Sequence, residues 1–219
     1  MDGNSSRWSQ AEVSAVVRCL SIERFETYSR QSPSQPSALE LYAWNTALSA
    51  ALYGPLQCLE VALRNSIYGT LEVHYGSMWF ENDGLMRGAE LHLVRETVDK
   101  IGRQGRTLSP GRVVAELPLG FWVGLLANGY DETLWRQHLY RLFGTRPNSK
   151  ALHGDLDKLR TLRNRIAHHE PIFQRRLLED YERIKRVLGV LSPELLSWTT
   201  FHDRVADVLA EGPHGDLRF

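Results

Sequence analysis

The 219-residue chain predicts an all-α protein, and three observations carry that reading. Apolar residues recur at three- and four-residue steps through long stretches, which is the helical period. Serine and aspartate cap signals stand in front of several of those stretches. Strand-like alternation is scarce, and Val-Ile-Thr clusters bounded by turns are absent.

The first helix follows from Ser9-Gln10-Ala11-Glu12, a capping-box pattern, and runs to about Leu20. A second spans Ser21 to Arg30. The proline- and serine-rich QSPSQPS, Gln31 to Ser37, reads as a loop. Ser37-Ala38-Leu39-Glu40 repeats the capping box and opens a long helical region. There Leu41, Trp44 or Asn45, Leu48, Leu52, Leu56, Leu59, Leu63, Ile67 and Leu71 keep the helical period, and Gly54-Pro55 is expected to kink or split it.

Glu81-Asn82-Asp83-Gly84 reads as a turn, and Ala89 to Ile101 as an amphipathic helix. The loop Gly102 to Arg112 is basic, with Arg103, Arg106 and Arg112. A solvated loop explains it, and so would charge attraction to an RNA backbone. Val113 to Ala127 is apolar and broken by Pro118, giving two short buried helices. Asp131 is expected to cap a helix over DETLWRQHLYRLF, closed by GTRPNS. Ser149 or Lys150 begins the next. Helices near Arg175 to Leu188, Pro193 to Trp198 and Thr200 to Glu211 follow.

Composition narrows the function class. Apolar residues make up 42% and charged residues 24%, an ordinary globular balance. Lys+Arg and Asp+Glu are equal at 26 each, so net charge draws the chain to no polyanion, although a local basic patch suffices for RNA. The expected organisation is a single helical domain over residues 1–211, with a loose tail at 212–219. Cys19 and Cys58 lack the CxxC spacing of a zinc module, and two thiols suit a reducing cytosol. No secretory leader pattern is present, and no apolar run approaches the roughly 20 residues of a membrane span. A cytoplasmic protein that does not enter membranes is expected.

One stretch departs from plain amphipathic helix: Leu159 to Phe173, LRTLRNRIAHHEPIF. With Leu159 at zero on an ideal helix, Leu152, Leu156, Leu162, Arg163, Ile166 and Glu170 all fall within about 60° of it. Arg163 therefore stands in the apolar stripe, where a guanidinium must be paired. Two readings fit it: a ligand-facing group, or a structural tie to Glu60 or Glu170. His168 would lie about 140° from Arg163 if the helix stayed regular. Pro171 disfavours helical geometry in the residue before it, so the helix is expected to unwind over His168 to Glu170.

A histidine at a helix C-terminus is favoured in its protonated form, by roughly 0.3–1 kcal/mol. That suits proton transfer. RNA cleavage without a metal needs a base for the 2′-hydroxyl, a cation on the phosphate and an acid for the leaving 5′-oxygen. Histidine serves as base or acid, and arginine's planar fork suits the phosphate. Asn164, one turn before His168, could orient it or the phosphate. The alternative for His168-His169 is a solvated helix end. The pair lacks the i, i+4 spacing of a zinc-binding helix, so no metal is expected. Glu170 is expected to pair with Arg64, Arg160 or Arg163.

Arg163-Asn164 followed by three residues and His168 resembles the Arg–four-to-six–His motif of HEPN ribonucleases. More broadly, Trp44 to Asn65, Val113 to Leu126 and Arg163 to Phe173 resemble, in order, segments of Abi-like proteins, the abortive-infection group of bacterial defence. The resemblance runs from about residue 20 to 200. It implies a HEPN-like helical bundle with additional N- and C-terminal helices, often a homodimer whose paired motifs share one cleft. It implies cofactor-free RNA cleavage, with Arg163 and His168 catalytic. Asn164, His169, Glu170, Arg64 and Asn65 would support them or bind substrate. The implied partners are an RNA substrate, tRNA or mRNA, a second copy of the chain, and an antitoxin or other defence-system protein. Some HEPN toxins carry a tyrosine two residues after the motif histidine, which a partner nucleotidyltransferase modifies; here that position is Glu170. Other HEPN domains cleave nothing and only bind nucleotides or partners.

Overall fold

The computed structural model describes residues 8–82, 84–144, 148–215, 217 and 219. Asp83 of the expected turn, residues 145–147 of the expected helix terminator, and Asp216 and Arg218 of the tail lie outside them. Every regular element among the described residues is helical, and the protein is all-α. In chain order the helices are α1 (Gln10–Leu20), α2 (Ile22–Ser29), α3 (Gln35–Tyr75), α4 (Gly88–Arg103), α5 (Pro110–Glu116), α6 (Leu119–Gly124), α7 (Ser149–Ala167), α8 (Leu177–Leu191), α9 (Pro193–His202) and α10 (Val205–Glu211). None of the described helices is long and apolar enough to cross a membrane.

The chain divides into two compact units. The first comprises Met1–Gly54, Arg165–Leu178 and Asp203–Phe219; the second comprises Pro55–Asn164 and Glu179–His202. In the first, Ser9 caps α1 as its sequence predicts. Its hydroxyl accepts from the Glu12 N–H at 3.3 Å, and its own N–H donates to the Glu12 carboxylate at 2.8 Å. Val13, Val17, Phe25, Tyr28, Ala38 and Leu41 form the core of this unit, with Tyr42 and Phe173 packed edge-on or tilted against the Tyr28 ring. Trp44 donates its indole N–H to the Val208 carbonyl at 2.9 Å, which fastens α10.

Helix α3 differs from expectation at both its start and its middle. It begins at Gln35, two residues before Ser37. The Ser34 hydroxyl accepts from the Ser37 N–H at 3.3 Å, so Ser34 is the cap and Pro36 sits in the first turn, where its missing N–H costs nothing. The helix also continues through Pro55 without a break. An interior proline costs about 3 kcal/mol. Leu52, Leu56 and Leu59 are all buried, and each such side chain contributes roughly 1.5–3 kcal/mol. Packing on both sides of the proline therefore outweighs its cost.

In the second unit Leu59, Leu63, Ile67 and Leu71 line the buried face of α3. Trp79, Phe121 and Trp122 meet at ring centroids of 4.9 to 6.2 Å, filling the core with large aromatics. The apolar stretch after residue 112 forms the two short helices α5 and α6, separated at Pro118 as expected. DETLWRQHLYRLF does not form the expected regular helix. Asp131–Trp135 is a single wide π turn and Leu139–Phe143 a 3₁₀ segment. The Asp131 carboxylate takes the Arg136 side chain at 2.7 Å instead of capping the turn. Trp135 and Phe143 stack at 5.7 Å, whereas eight helical residues would separate them by about 12 Å along the axis. The break is what lets these two rings meet.

Candidate active site

Helix α7 is built as its sequence requires. The Asn148 side chain accepts from the Ala151 N–H at 3.0 Å and caps it. Leu156, Leu159 and Leu162 form its buried stripe. Arg163 and Asn164 belong to the second unit of the chain, and His168 to the first.

In the second unit Arg163 donates its Nε–H to Glu60 Oε2 at 3.1 Å, one of the two carboxylates that the structural reading of the sequence offers it. The arginine is not sealed in, because its side chain is 41% exposed. The aliphatic stem follows the apolar stripe while the guanidinium reaches its edge. Neither Nη group makes a hydrogen bond to any described residue, so the outer half of the fork is open. Arg64 lies one turn after Glu60 on α3, half-buried, and its Nε is a buried donor without a partner among the described residues. Asn65 is exposed, and Asn164 is half-buried with no side-chain hydrogen bond to any described residue. Arg160, a further cation of this helix, is taken by Asp157 through two hydrogen bonds of 2.8 and 3.0 Å.

In the first unit the chain leaves α7 at Ala167, as Pro171 predicts. The Glu170 N–H bonds the Arg165 carbonyl at 2.8 Å and the His169 N–H bonds the Ile166 carbonyl at 3.1 Å. This pair of bonds is a Schellman motif, and its left-handed residue is His169, at φ 56°. Arg24 donates to the His169 carbonyl at 2.9 Å and holds the turn from α2. His168 is exposed, and its imidazole has no hydrogen-bond partner among the described residues.

Glu170 pairs with Arg165 at 3.1 Å, not with Arg64, Arg160 or Arg163 as expected. The Schellman turn folds residue 170 back over residue 165, so the two side chains meet at the same place as their backbones. Beyond the turn, Asn45 accepts from the backbone N–H groups of Ile172 and Phe173 at 2.7 and 3.2 Å. Asn45 is buried, and this use of its carbonyl accounts for a polar residue in the apolar stripe of α3. The strap after the histidines is therefore fixed at both ends, by Arg24 and by Asn45.

A second titratable cluster, unmarked by any motif, stands in the second unit. The rings of His74 and His138 stack at 3.9 Å, and the Tyr75 hydroxyl lies 3.0 Å from His138 Nε2. His138 Nδ1 is buried without a partner among the described residues. Burial, with His74 and Arg141 nearby, holds the His138 imidazole below its ordinary range. Protonation would place an N–H with no acceptor beside two further basic groups. Among the described residues no three His, Cys, Asp or Glu side chains gather in a way that could hold a metal ion. Comparison with protein-family models, with curated proteins and with solved structures yields no match for the chain.

Proposed function

We propose that the chain is a metal-independent endoribonuclease of a bacterial phage-defence (abortive-infection) or toxin system, of the HEPN type. The 2′-oxygen of a ribose attacks the adjacent phosphorus as its proton leaves, the bond to the 5′-oxygen breaks, and a 2′,3′-cyclic phosphate remains. His168 transfers the proton at one of these oxygens, and the free Nη groups of Arg163 pair with the phosphate. Asn164, Arg64 and Asn65 would bind substrate beside Arg163, and His169 and Glu170 would shape the turn that carries His168. A second copy of the chain supplies the complementary group of each motif. The substrate is tRNA or mRNA in the cytoplasm, and an antitoxin or other defence-system protein restrains the activity.

The observation that carries this reading is His168. It is an exposed imidazole with no hydrogen-bond partner among the described residues, on a turn held by Arg24 and the Schellman bonds, five residues after an arginine whose outer nitrogens bond none of those residues. A catalytic base needs access and a fixed backbone, and a structural histidine has no need of either. Pure protein incubated with total RNA in EDTA, beside a His168→Ala variant, tests the proposal. Cleavage by the wild type that disappears in the folded variant supports it, and equal behaviour of the two rejects it.

One observation favours a second reading, a non-catalytic HEPN-like module that binds RNA, nucleotide or a protein partner. The Glu60 carboxylate already neutralises part of the Arg163 charge at 3.1 Å. Binding of labelled RNA without cleavage, weakened by Arg163→Ala and untouched by His168→Ala, would select that reading.

A further inference from the structure

Helix α9, PELLSWTTFH, mixes apolar and polar residues around its circumference, and two of its largest apolar side chains, Trp198 and Phe201, stand outside the core. One side is covered by its own chain. Thr199 is buried, Leu195 and Leu196 are half-buried, and a Cβ on Gly189 of α8 would come within 3.0 Å of Leu196 Cδ2. The opposite side is bare. Pro193, Glu194, Ser197, Trp198 and Phe201 line an open groove along it, with Trp198 56% and Phe201 83% exposed.

We propose that this face of α9 is covered by the same face of a second copy of the chain, with the two α9 helices antiparallel and the two-fold axis at Trp198. The arrangement of charge along the helix selects this occupant. Glu194, Trp198, Phe201 and His202 fall within an arc of about 100° on an ideal helix. Glu194 lies four residues before Trp198, and His202 four residues after it. A two-fold axis at Trp198 therefore sets Glu194 of each copy against the partner copy's His202, twice, around a centre of two tryptophans and two phenylalanines. An isologous contact requires this self-complementarity. Parallel pairing would oppose carboxylate to carboxylate and imidazole to imidazole, so the sequence of α9 favours one orientation.

Both groups are available. The Glu194 carboxylate accepts from the Ser192 hydroxyl at 2.9 Å and from its own backbone N–H, and among the described residues the His202 ring lies against the Trp198 and Phe201 rings, at 4.7 and 5.0 Å. Their hydrogen bond forms with a neutral imidazole N–H and strengthens with an imidazolium. A ten-residue helix presents a strip only about 15 Å long, so the contact belongs with small, weak interfaces of micromolar strength. This inference is independent of the ribonuclease reading and holds equally for a chain that cleaves nothing.

Sedimentation equilibrium of the full chain up to about 200 μM is the test. The wild type is expected to approach twice 25.0 kDa as concentration rises. Phe201→Ser and Glu194→Lys should each raise the dimer Kd by roughly 10- to 100-fold, with circular dichroism showing that each variant remains folded at the temperature of the measurement. The double variant Glu194→Lys/His202→Glu restores opposite charges across an antiparallel pair and should return the Kd to within about threefold of wild type. A wild type that stays at 25.0 kDa overturns the proposal. So does a dimer indifferent to both single substitutions, which places the contact on another surface, or a double variant no tighter than Glu194→Lys, which excludes the antiparallel pairing.

Discussion

Asn45 accepts hydrogen bonds from Ile172 at 2.7 Å and from Phe173 at 3.2 Å, joining positions 127 residues apart in sequence through one buried carbonyl. The strap that follows the two histidines hangs from this contact. Asn45→Leu is expected to lower stability by about 2–4 kcal/mol, because two buried N–H groups lose their acceptor and cannot reach water. Asn45→Asp keeps the acceptor and should cost clearly less. Urea unfolding of the two variants beside wild type measures both, and equal losses would remove the strap from the account.

Arg163 and Glu60 set the electrostatics of the proposed phosphate site. Glu60→Gln keeps an acceptor for the Arg163 Nε–H but removes the countercharge, so RNA binding should tighten by about 3- to 10-fold at low salt. Arg163→Lys keeps the charge and loses the planar fork. On the ribonuclease reading cleavage should fall by roughly 10²–10³ while binding changes little. Fluorescence anisotropy with a labelled RNA, and gel analysis of cleavage in EDTA, read the two effects separately. An Arg163→Lys variant as active as wild type would place Arg163 among the structural residues.

His138 predicts a pH dependence whose sign can be fixed. Its folded-state pKa lies below the 6.5 of the unfolded chain, so on acidification the unfolded state takes up the proton first. Its contribution to stability is complete above that unfolded value and declines as pH falls toward the lowered folded value. Burial leads among the causes, followed by His74 and Arg141; Tyr75, bonded to Nε2, is the other titratable group in contact with the ring. His138→Gln removes the proton uptake. The urea midpoint of the wild type should therefore fall more steeply between pH 7 and pH 5 than that of the variant, and parallel curves would contradict the assignment.

Most of the helices were legible in the chain because their apolar spacing is regular over several turns and their caps are local. The end of α7 was legible too, since Pro171 acts on its own neighbours. For Arg163 the apolar stripe showed that the cation needed a partner, but left Glu60, Glu170 and a ligand all open. What escaped has a different physical origin. Asn45 looked like one more member of the α3 stripe, and only a backbone more than a hundred residues away gives its polarity a purpose. The break within residues 131–143 depends on rings that stack across it, and the pairing of His74 with His138 depends on tertiary placement. Pro55 misled in the other direction, because a local rule for breaking helices was overridden by burial on both sides.

His169 occupies a left-handed position that glycine or asparagine usually fills, at φ 56° in the Schellman turn. A side chain with a Cβ bears roughly 1–2 kcal/mol of strain there. Glycine relieves it but loses more freedom on folding, by roughly 0.5–1 kcal/mol. His169→Gly should therefore stabilise the chain by a few tenths to about 1 kcal/mol, provided the imidazole contributes nothing to folding, and its exposure argues that it does not. Backbone strain retained at an exposed helix end points to a use for the side chain. If His169 supports substrate binding, the glycine variant will unfold at higher urea while requiring more RNA for half-maximal cleavage, with the single-turnover rate at saturating RNA intact. A stabilised variant with unaltered RNA dependence would reduce His169 to an accident of the turn and leave His168 as the one working histidine of the pair.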